Sequence, residues 1–519
     1  CVHFPHMTQA ILLDGDSLTV DAVYRVAVDR TPVALSDRGR ARVTRARAAV
    51  VDVVKRGDVV YGVTTGFGKL SEVAIPADRL RELQVNLVRS HASGVGPLLP
   101  EREVRAMMLL RANVIAKGYS GGRAELVDLL TGMLNAGVTP EVPEQGSVGA
   151  SGDLAPLAHL AGAMIGEGMV QRDGARGTAA DALRAAGLRP VVLEPKEGIT
   201  LINGTQAHTA IASLALVDAH RIWRAAHVAG AMSLEGLMGT PVAFDERIQA
   251  ARGQVGQAES AALLRALLAD SEIRESHRTG DPRVQDAYAL RCMPQVHGPA
   301  RDALAFAESI VARELNAATD NPLVMPGSEM LSGGNFHGQA VALALDVMAI
   351  ALANLATIAE RRIDRLLHPD LNHGLPAFLA RDAGVNSGFM MAQVTAAALA
   401  SECKMLAHPA SVDTIPTGGG KEDVVPMAMG AAWKLRRSVD NVRNVLAIEL
   451  MCAAQAVELR APLAPARRVG DAVAVVRRVV PALDRDRALS ADIAALSGAI
   501  ASGAFDAVAV APPAATASR

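Results

Sequence analysis

The chain is poor in aromatic side chains, in cysteine and in net charge. Only 3% of its 519 residues are Phe, Trp or Tyr, although 50% are hydrophobic. Alanine, leucine and valine make up the difference. That suits helices packed with close axes and argues against a sandwich or propeller built on Tyr, Trp and Thr. The four cysteines, Cys1, Cys292, Cys403 and Cys452, are scattered and form no CxxC pair. Neither a disulfide framework nor a zinc ribbon is indicated, and a reducing cytoplasm fits. A formal net charge of −2 leaves no electrostatic footprint for nucleic acid. The hydrophobic content excludes disorder for the bulk of the chain. The length exceeds what one core usually serves, so several subdomains, or a body completed by partner chains, are expected.

No basic flank followed by an apolar stretch reads as a signal peptide. Cys1 to His6 reads as a remnant ahead of an initiator at Met7, and Pro512 to Arg519 as a disordered tail. Ala340 to Ala359 imitates a membrane span. Asp346 and Asn354 interrupt it and Glu360-Arg361-Arg362 follow at once, so it reads as a helix buried on nearly all sides by protein.

Hydrophobic period predicts helices over 79–89, 101–117 and 124–135, with Gly118 to Gly122 as a break. Residues 140–156 form a loop crowded with Gly and Pro, and 170–197 holds a small hairpin. From Thr205 onward long periodic segments follow at 205–237, 299–317, 338–367, 388–406 and 427–461. The last would span roughly 50 Å at about 1.5 Å per residue, and helices of that length pack as near-parallel bundles. The expected fold is therefore mainly α, an elongated helical bundle. It divides into an N-terminal domain over 7–204, a central long-helix bundle over 205–465, and a small helical C-terminal region with tail over 466–519.

Several catalytic patterns fail on inspection. Gly118-Tyr119-Ser120-Gly121-Gly122 matches GxSxG, but a helix rather than a strand leads into it. Gly418-Gly419-Gly420-Lys421 imitates a phosphate loop, yet Glu422 stands where Ser or Thr must hold magnesium. There is no HExxH, and His91, His159, His297 and His337 lack metal-ligand spacing, so no metal is indicated.

The informative stretch is Gly146-Ser147-Val148-Gly149-Ala150-Ser151-Gly152-Asp153-Leu154-Ala155-Pro156. Ala-Ser-Gly is a set of residues that lets a backbone close on itself. Gly152 has no Cβ, so its nitrogen can approach the Ala150 carbonyl carbon, and Ser151 can lose its hydroxyl as water. Alone, the tripeptide reads as a flexible turn. Its surroundings do not. GSVGASGDLAPLAHL, Tyr61-Gly62-Val63-Thr64-Thr65-Gly66-Phe67-Gly68, Ser90-His91-Ala92-Ser93-Gly94, Ile202-Asn203-Gly204-Thr205, Gln285 to Arg291, Thr319-Asp320-Asn321-Pro322 and Gly334-Asn335-Phe336-His337-Gly338 occur in one order along nearly the whole chain. Together they resemble the aromatic amino acid ammonia-lyases and aminomutases, which have the helical fumarase/aspartase-like architecture.

The resemblance implies that Ala150, Ser151 and Gly152 cyclise to 4-methylidene-imidazol-5-one, an electrophile made from the chain itself, with no metal, nucleotide or pyridoxal phosphate. Asn203 would polarise that ring. Tyr61, in a loop where Gly62 and Gly66 would allow a lid to close, would be the general base. A phenol with an ordinary pKa of about 10 needs donors around its anion to act so at neutral pH. Arg291 would hold the substrate carboxylate with its planar fork. Tyr288, Gln285 and Asn335 would support it by hydrogen bonds, and Phe336 would form a wall near the ring; Gln285 and Asn335 would otherwise be helix caps. The implied assembly is a homotetramer whose active sites draw on several chains and take a small aromatic amino acid, without nucleic acid or membrane. A descendant scaffold without activity would be expected to lose Ser151, Tyr61 or Arg291, and all three are present.

Ser90-His91, Met390 and Glu422 resemble the branch that acts on histidine, where an imidazole and a carboxylate make a cage suited to a polar ring and costly for phenyl. That implies non-oxidative elimination of ammonia from L-histidine to trans-urocanate. The segment Gly420-Lys421-Glu422-Asp423-Val424-Val425-Pro426-Met427 departs from that branch at Lys421 and Val424, and Lys421 could pair with Glu422. Gly338-Gln339 is closer to the tyrosine and phenylalanine branches. A tyrosine or phenylalanine lyase, or a 2,3-aminomutase with the same ring, is the alternative.

Overall fold

The computed structural model describes residues 9–510. The expectations for Cys1 to Met7 and for Pro512 to Arg519 lie outside the described residues. Among those described there are nineteen α-helices and nine strands of two to four residues, so the fold is mainly α. They form two compact units. The first comprises the chain up to Val217, then Ala307–Asp346 and Pro409–Trp433; the second comprises Asp218–Phe306, Val347–His408 and the chain from Lys434 onward. This partition cuts across the contiguous division at 204/205 and 465/466. Four helices, Gln206–Gly236, Met293–Glu314, Gln339–Leu367 and Ala428–Glu458, have residues in both units.

The first unit is built around the helix Glu101–Ala116, in which every residue from Glu103 onward is buried. Its arginines explain why a polar sequence can be so enclosed. Arg105 donates to the carbonyls of Val26 at 2.9 Å and Leu134 at 3.0 Å, in the last turns of the helices Val20–Ala27 and Ala124–Asn135. A cation there satisfies carbonyls that have no intrahelical partner and opposes the negative dipole ends. Arg111 does the same for the short helix Glu197–Ile202, donating to Thr200 at 2.6 Å and Asn203 at 2.9 Å. Burial pushes the Arg111 pKa down to about 10, against the pull of Asp320 and Asp153, so it remains a cation at neutral pH. Short sheets flank this core. Among them is the antiparallel pair Met169–Arg172 and Ala175–Thr178, the hairpin expected near residue 170.

The second unit is held by long helices that approach closely through small residues. A Cβ on Gly236 would come within 2.8 Å of the Ala456 Cβ. Inside, Arg362 and Glu449 form a fully buried pair, Nε to Oε1 at 2.5 Å and Nη2 to Oε2 at 2.9 Å. Ser233 adds a third hydrogen bond to that carboxylate at 2.8 Å. Nearby, His227 donates from Nδ1 to the Trp223 carbonyl at 2.7 Å, and its ring meets that of His297 edge-on at 4.5 Å. Burial pushes the His227 pKa down to about 4 and holds that of His297 well below the ordinary imidazole value, with the Arg362 charge adding to both.

The helix Gln339–Leu367 is, among the described residues, the one long and apolar enough to cross a membrane, and two thirds of its most apolar window is buried. Leu343 and Ile350, seven residues apart on one stripe, are 45% and 42% exposed. The burial expected on nearly all sides thus fails along that stripe within a single chain.

Two outcomes are expected. Replacing Arg362 by Met leaves Glu449 buried without its cation and should lower unfolding free energy by about 3–5 kcal/mol, read from denaturant midpoints. For His227 the folded pKa of about 4 lies below the ordinary 6.5. The unfolded chain therefore binds a proton that the folded chain refuses, and stability falls as pH drops from 6.5 towards 4. The slope approaches about 1.4 kcal/mol per pH unit. His227→Phe should flatten the fall in urea midpoints over that range.

Candidate active site

Ala150-Ser151-Gly152 is fastened at its downstream end by two glycines set back to back. Gly152 has φ +73°, and a Cβ on it would run into the Gly204 backbone. Gly204, at φ +149°, has no room either: a Cβ there would meet Arg111, Gln206 and Thr319. The Asp153 amide donates to the Gly204 carbonyl at 2.7 Å. Only glycine tolerates both the left-handed backbone and the contact.

Asp153 locks this junction. Its fully buried carboxylate accepts from Ser147 Oγ at 2.9 Å and from the amides of Ala207 at 2.9 Å and His208 at 3.0 Å. His208 Nδ1 stands 2.8 Å away. Those amides belong to the first turn of the helix Gln206–Gly236, so the carboxylate caps it. Burial alone would raise the Asp153 pKa, but the His208 charge and hydrogen bonds, with Ser147, hold it below the usual range. Further along, the Gly338 amide donates to the Gly149 carbonyl at 3.0 Å and that of Ala428 to Val148 at 3.3 Å.

Around Ser151 the first unit converges. Asn203, the C-cap of Glu197–Ile202, donates from Nδ2 to the Ser151 carbonyl at 2.8 Å. Its Oδ1 is buried without a partner. The Ser151 hydroxyl donates to Glu422 Oε1, and Thr417 donates to Oε2. Lys421 is thus not what holds Glu422, contrary to the pairing the sequence suggested. Two cavities open on Ser151. One, of about 590 Å³, is lined by Tyr61, Ala150, Asn321, Phe336, Lys421 and Glu422 among others. The other, of about 680 Å³, has an apolar wall of Phe67, Leu83, Leu87 and Ile199, with Tyr61, His91, Asn203 and Glu422. The Tyr61 oxygen accepts from the Gly68 amide at 3.4 Å. His91, at the end of the helix Leu80–His91, has Nδ1 on the Leu87 carbonyl at 2.8 Å. A carbonyl can only accept, so Nδ1 carries the proton and Nε2 is left as an acceptor.

Not every expected residue is here. Asn335 is exposed, donates to the Ala318 carbonyl at 3.1 Å and lines neither cavity. Gln285, Tyr288, Arg291 and Met390 lie in the second unit and line neither. Tyr288 is 70% exposed, with the Arg291 guanidinium 4.6 Å over its ring. The sequence reading missed Asp153, His208 and Thr417. The only signal for the first two was an acid directly after the tripeptide and an imidazole in the first turn of the next long helix.

An aromatic amino acid lyase family model matches residues 18–478. The chain is 57% identical over 507 residues to a histidine ammonia-lyase of Anaeromyxobacter dehalogenans, covering 96% of this chain and 100% of that protein. To the corresponding protein of Koribacter versatilis it is 54% identical, covering 96% and 99%. Among solved structures, histidine ammonia-lyase from Trypanosoma cruzi superposes with a TM-score of 0.90 at 42% identity, covering 96% of this chain and 95% of that one. Tyrosine aminomutase from Streptomyces globisporus does so at 0.92 and 38%, covering 96% and 98%. A family match across most of the chain, with full-length relatives above half identity, places this chain in the aromatic amino acid lyase family.

Proposed function

We propose that this chain is a carbon–nitrogen lyase that eliminates ammonia from L-histidine to give trans-urocanate, using a 4-methylidene-imidazol-5-one ring formed from Ala150, Ser151 and Gly152. The observation that carries this reading is the setting of the tripeptide. Gly152 is held in a left-handed turn with no space for a side chain, Asn203 Nδ2 lies on the Ser151 carbonyl, and Asn203 Oδ1 is buried and unpartnered beside it. These residues fit the ring and would hold it. When formed, it supplies an electrophile that takes the substrate amine and makes it a better leaving group.

The rest is done by side chains. Tyr61, on the wall of both cavities, takes the β-proton, and the Gly68 amide directed at its oxygen favours that role. The apolar wall excludes water from the ring of the substrate. His91 Nε2 and the Glu422 carboxylate are both acceptors on that cavity. They suit an imidazole, which donates N–H, better than a phenyl ring, which donates nothing. A tyrosine-type substrate is the second reading. It is favoured by the apolar wall and by the similarity to a tyrosine aminomutase, and would offer one O–H.

Arg291, with Gln285, Tyr288, Asn335 and Met390, would serve the site of a neighbouring copy in a homotetramer, which would account for their lining neither cavity in one chain. The exposed apolar stripe of Leu343 and Ile350, and exposed Met391 and Val394, would be covered by that assembly. Cys292, Cys403 and Cys452 are free thiols, in keeping with a cytoplasmic protein.

Ring formation removes two waters, so intact mass should fall about 36 Da below the formula value. Ser151→Ala should keep its full formula mass and release no ammonia. Mixing the protein with L-histidine, L-tyrosine and L-phenylalanine in turn should raise the absorbance of urocanate; coumarate or cinnamate alone would exclude the histidine reading. Arg291→Ala should keep the mass deficit while binding weakens by about 2–5 kcal/mol. Tyr61→Phe should also keep the deficit, with kcat lower by about 10²–10⁴.

A further inference from the structure

The loop from Thr417 to Glu422 closes on itself. The Thr417 amide donates to the Glu422 carbonyl at 2.9 Å, and the Glu422 amide returns to the Thr417 carbonyl at 3.4 Å. Gly418, Gly419 and Gly420 between them have φ of +57°, +65° and +81°, a run that side-chain-bearing residues resist. The fold-back brings the Thr417 hydroxyl onto Glu422 Oε2. It also lays Gly418 against the carboxylate, where a Cβ would stand 3.2 Å from Cδ and 3.3 Å from Oε2. The other oxygen, Oε1, takes the Ser151 hydroxyl.

We infer that Thr417 is a positioning residue for recognition of the substrate ring: it fixes one oxygen of Glu422 so that the other faces the cavity as a single, oriented acceptor. The inference rests on the reading that Glu422 meets the substrate ring. In the unprocessed chain Oε1 is occupied by Ser151. Once that hydroxyl leaves as water, Oε1 has lost its partner, while Oε2 is still held from behind by Thr417. An N–H of the substrate ring is the donor that would replace the lost one. Without the threonine hydroxyl, three side-chain torsions of a half-exposed glutamate are free. The carboxylate could then swing towards solvent, or towards the ammonium of Lys421, which lines the same cavity. Hydrogen bonds to an ionised carboxylate are about twice as strong as neutral ones, so one hydroxyl suffices to set its orientation. The glycine run has a matching purpose, since any Cβ at 418 would crowd the group being held.

The test compares the parent protein with Thr417→Val, Thr417→Ser and Glu422→Gln. It uses intact mass, steady-state turnover of L-histidine, and calorimetric binding of imidazole as an independent probe. Thr417→Val should keep the mass deficit, raise KM for L-histidine and the imidazole Kd about ten- to a hundredfold, and change kcat less. Thr417→Ser, which restores the donor, should stay within about twofold of the parent. If the valine protein does not fold, Thr417→Ala carries the same expectation. Parent-like KM and Kd in Thr417→Val alongside an impaired Glu422→Gln would overturn this inference alone, as would equal impairment in Thr417→Ser. A parent that does not turn over L-histidine would overturn the underlying reading, and this one with it.

Discussion

Asp153 is the point on which the site turns. A carboxylate without contact to water is costly to bury unless its lone pairs are fully engaged. Here they are met by a hydroxyl and two amides of a helix start, with the His208 imidazole at ion-pair distance. Because the residue follows Gly152 directly, satisfying that carboxylate fixes where the tripeptide ends. Because two of the donors open the helix Gln206–Gly236, it also fixes the tripeptide against one of the longest elements of the chain. The junction of Gly152 and Gly204 then leaves the backbone a single path. A tight contact between two positions without side chains is held from outside by a charge that cannot go elsewhere.

The geometry around Ser151 joins two kinds of wall. One is apolar and comes from Phe67, Ile199 and the helix Leu80–His91; the other is a set of acceptors whose orientation is fixed from behind. His91 is oriented by a carbonyl of its own helix, four residues back, and Glu422 by a threonine five residues back. Both are local devices. Each turns a flexible side chain into a directed one with a partner from its own segment, so neither depends on the packing of remote elements.

How much of this was legible in the sequence follows from the range of each interaction. Long periodic helices were readable: 205–237 is observed as Gln206–Gly236, and 427–461 as Ala428–Glu458. The helix expected at 299–317 begins at Met293 instead, because Pro299 lies inside it rather than at its start. The helix Asp37–Arg56 was not anticipated. It is dense in arginine, and its buried stripe of Val43, Ala46, Val50 and Val53 is narrow. The strands are too short for alternation to show. At the site, Tyr61, His91, Asn203 and Glu422 were found through motifs and do surround Ser151. Asp153, His208 and Thr417 belong to pairings that no spacing rule encodes, since each is recognisable only once its partner is in place. Lys421, adjacent to Glu422 in sequence, was a possible partner by proximity, but Ser151 and Thr417 hold the carboxylate instead.

Arg111 makes the deepest part of the first unit answerable to chemistry. It sits in a helix that is buried throughout from Glu103 onward, yet its guanidinium grips the carbonyl of Asn203, whose side chain reaches Ser151. A change of volume among the neighbours of Arg111, itself on neither cavity wall but bonded to Asn203 on one of them, would therefore tilt that amide before it unfolded anything. Tolerance to repacking should be narrowest there, in a stretch that by burial alone looks like ordinary filling.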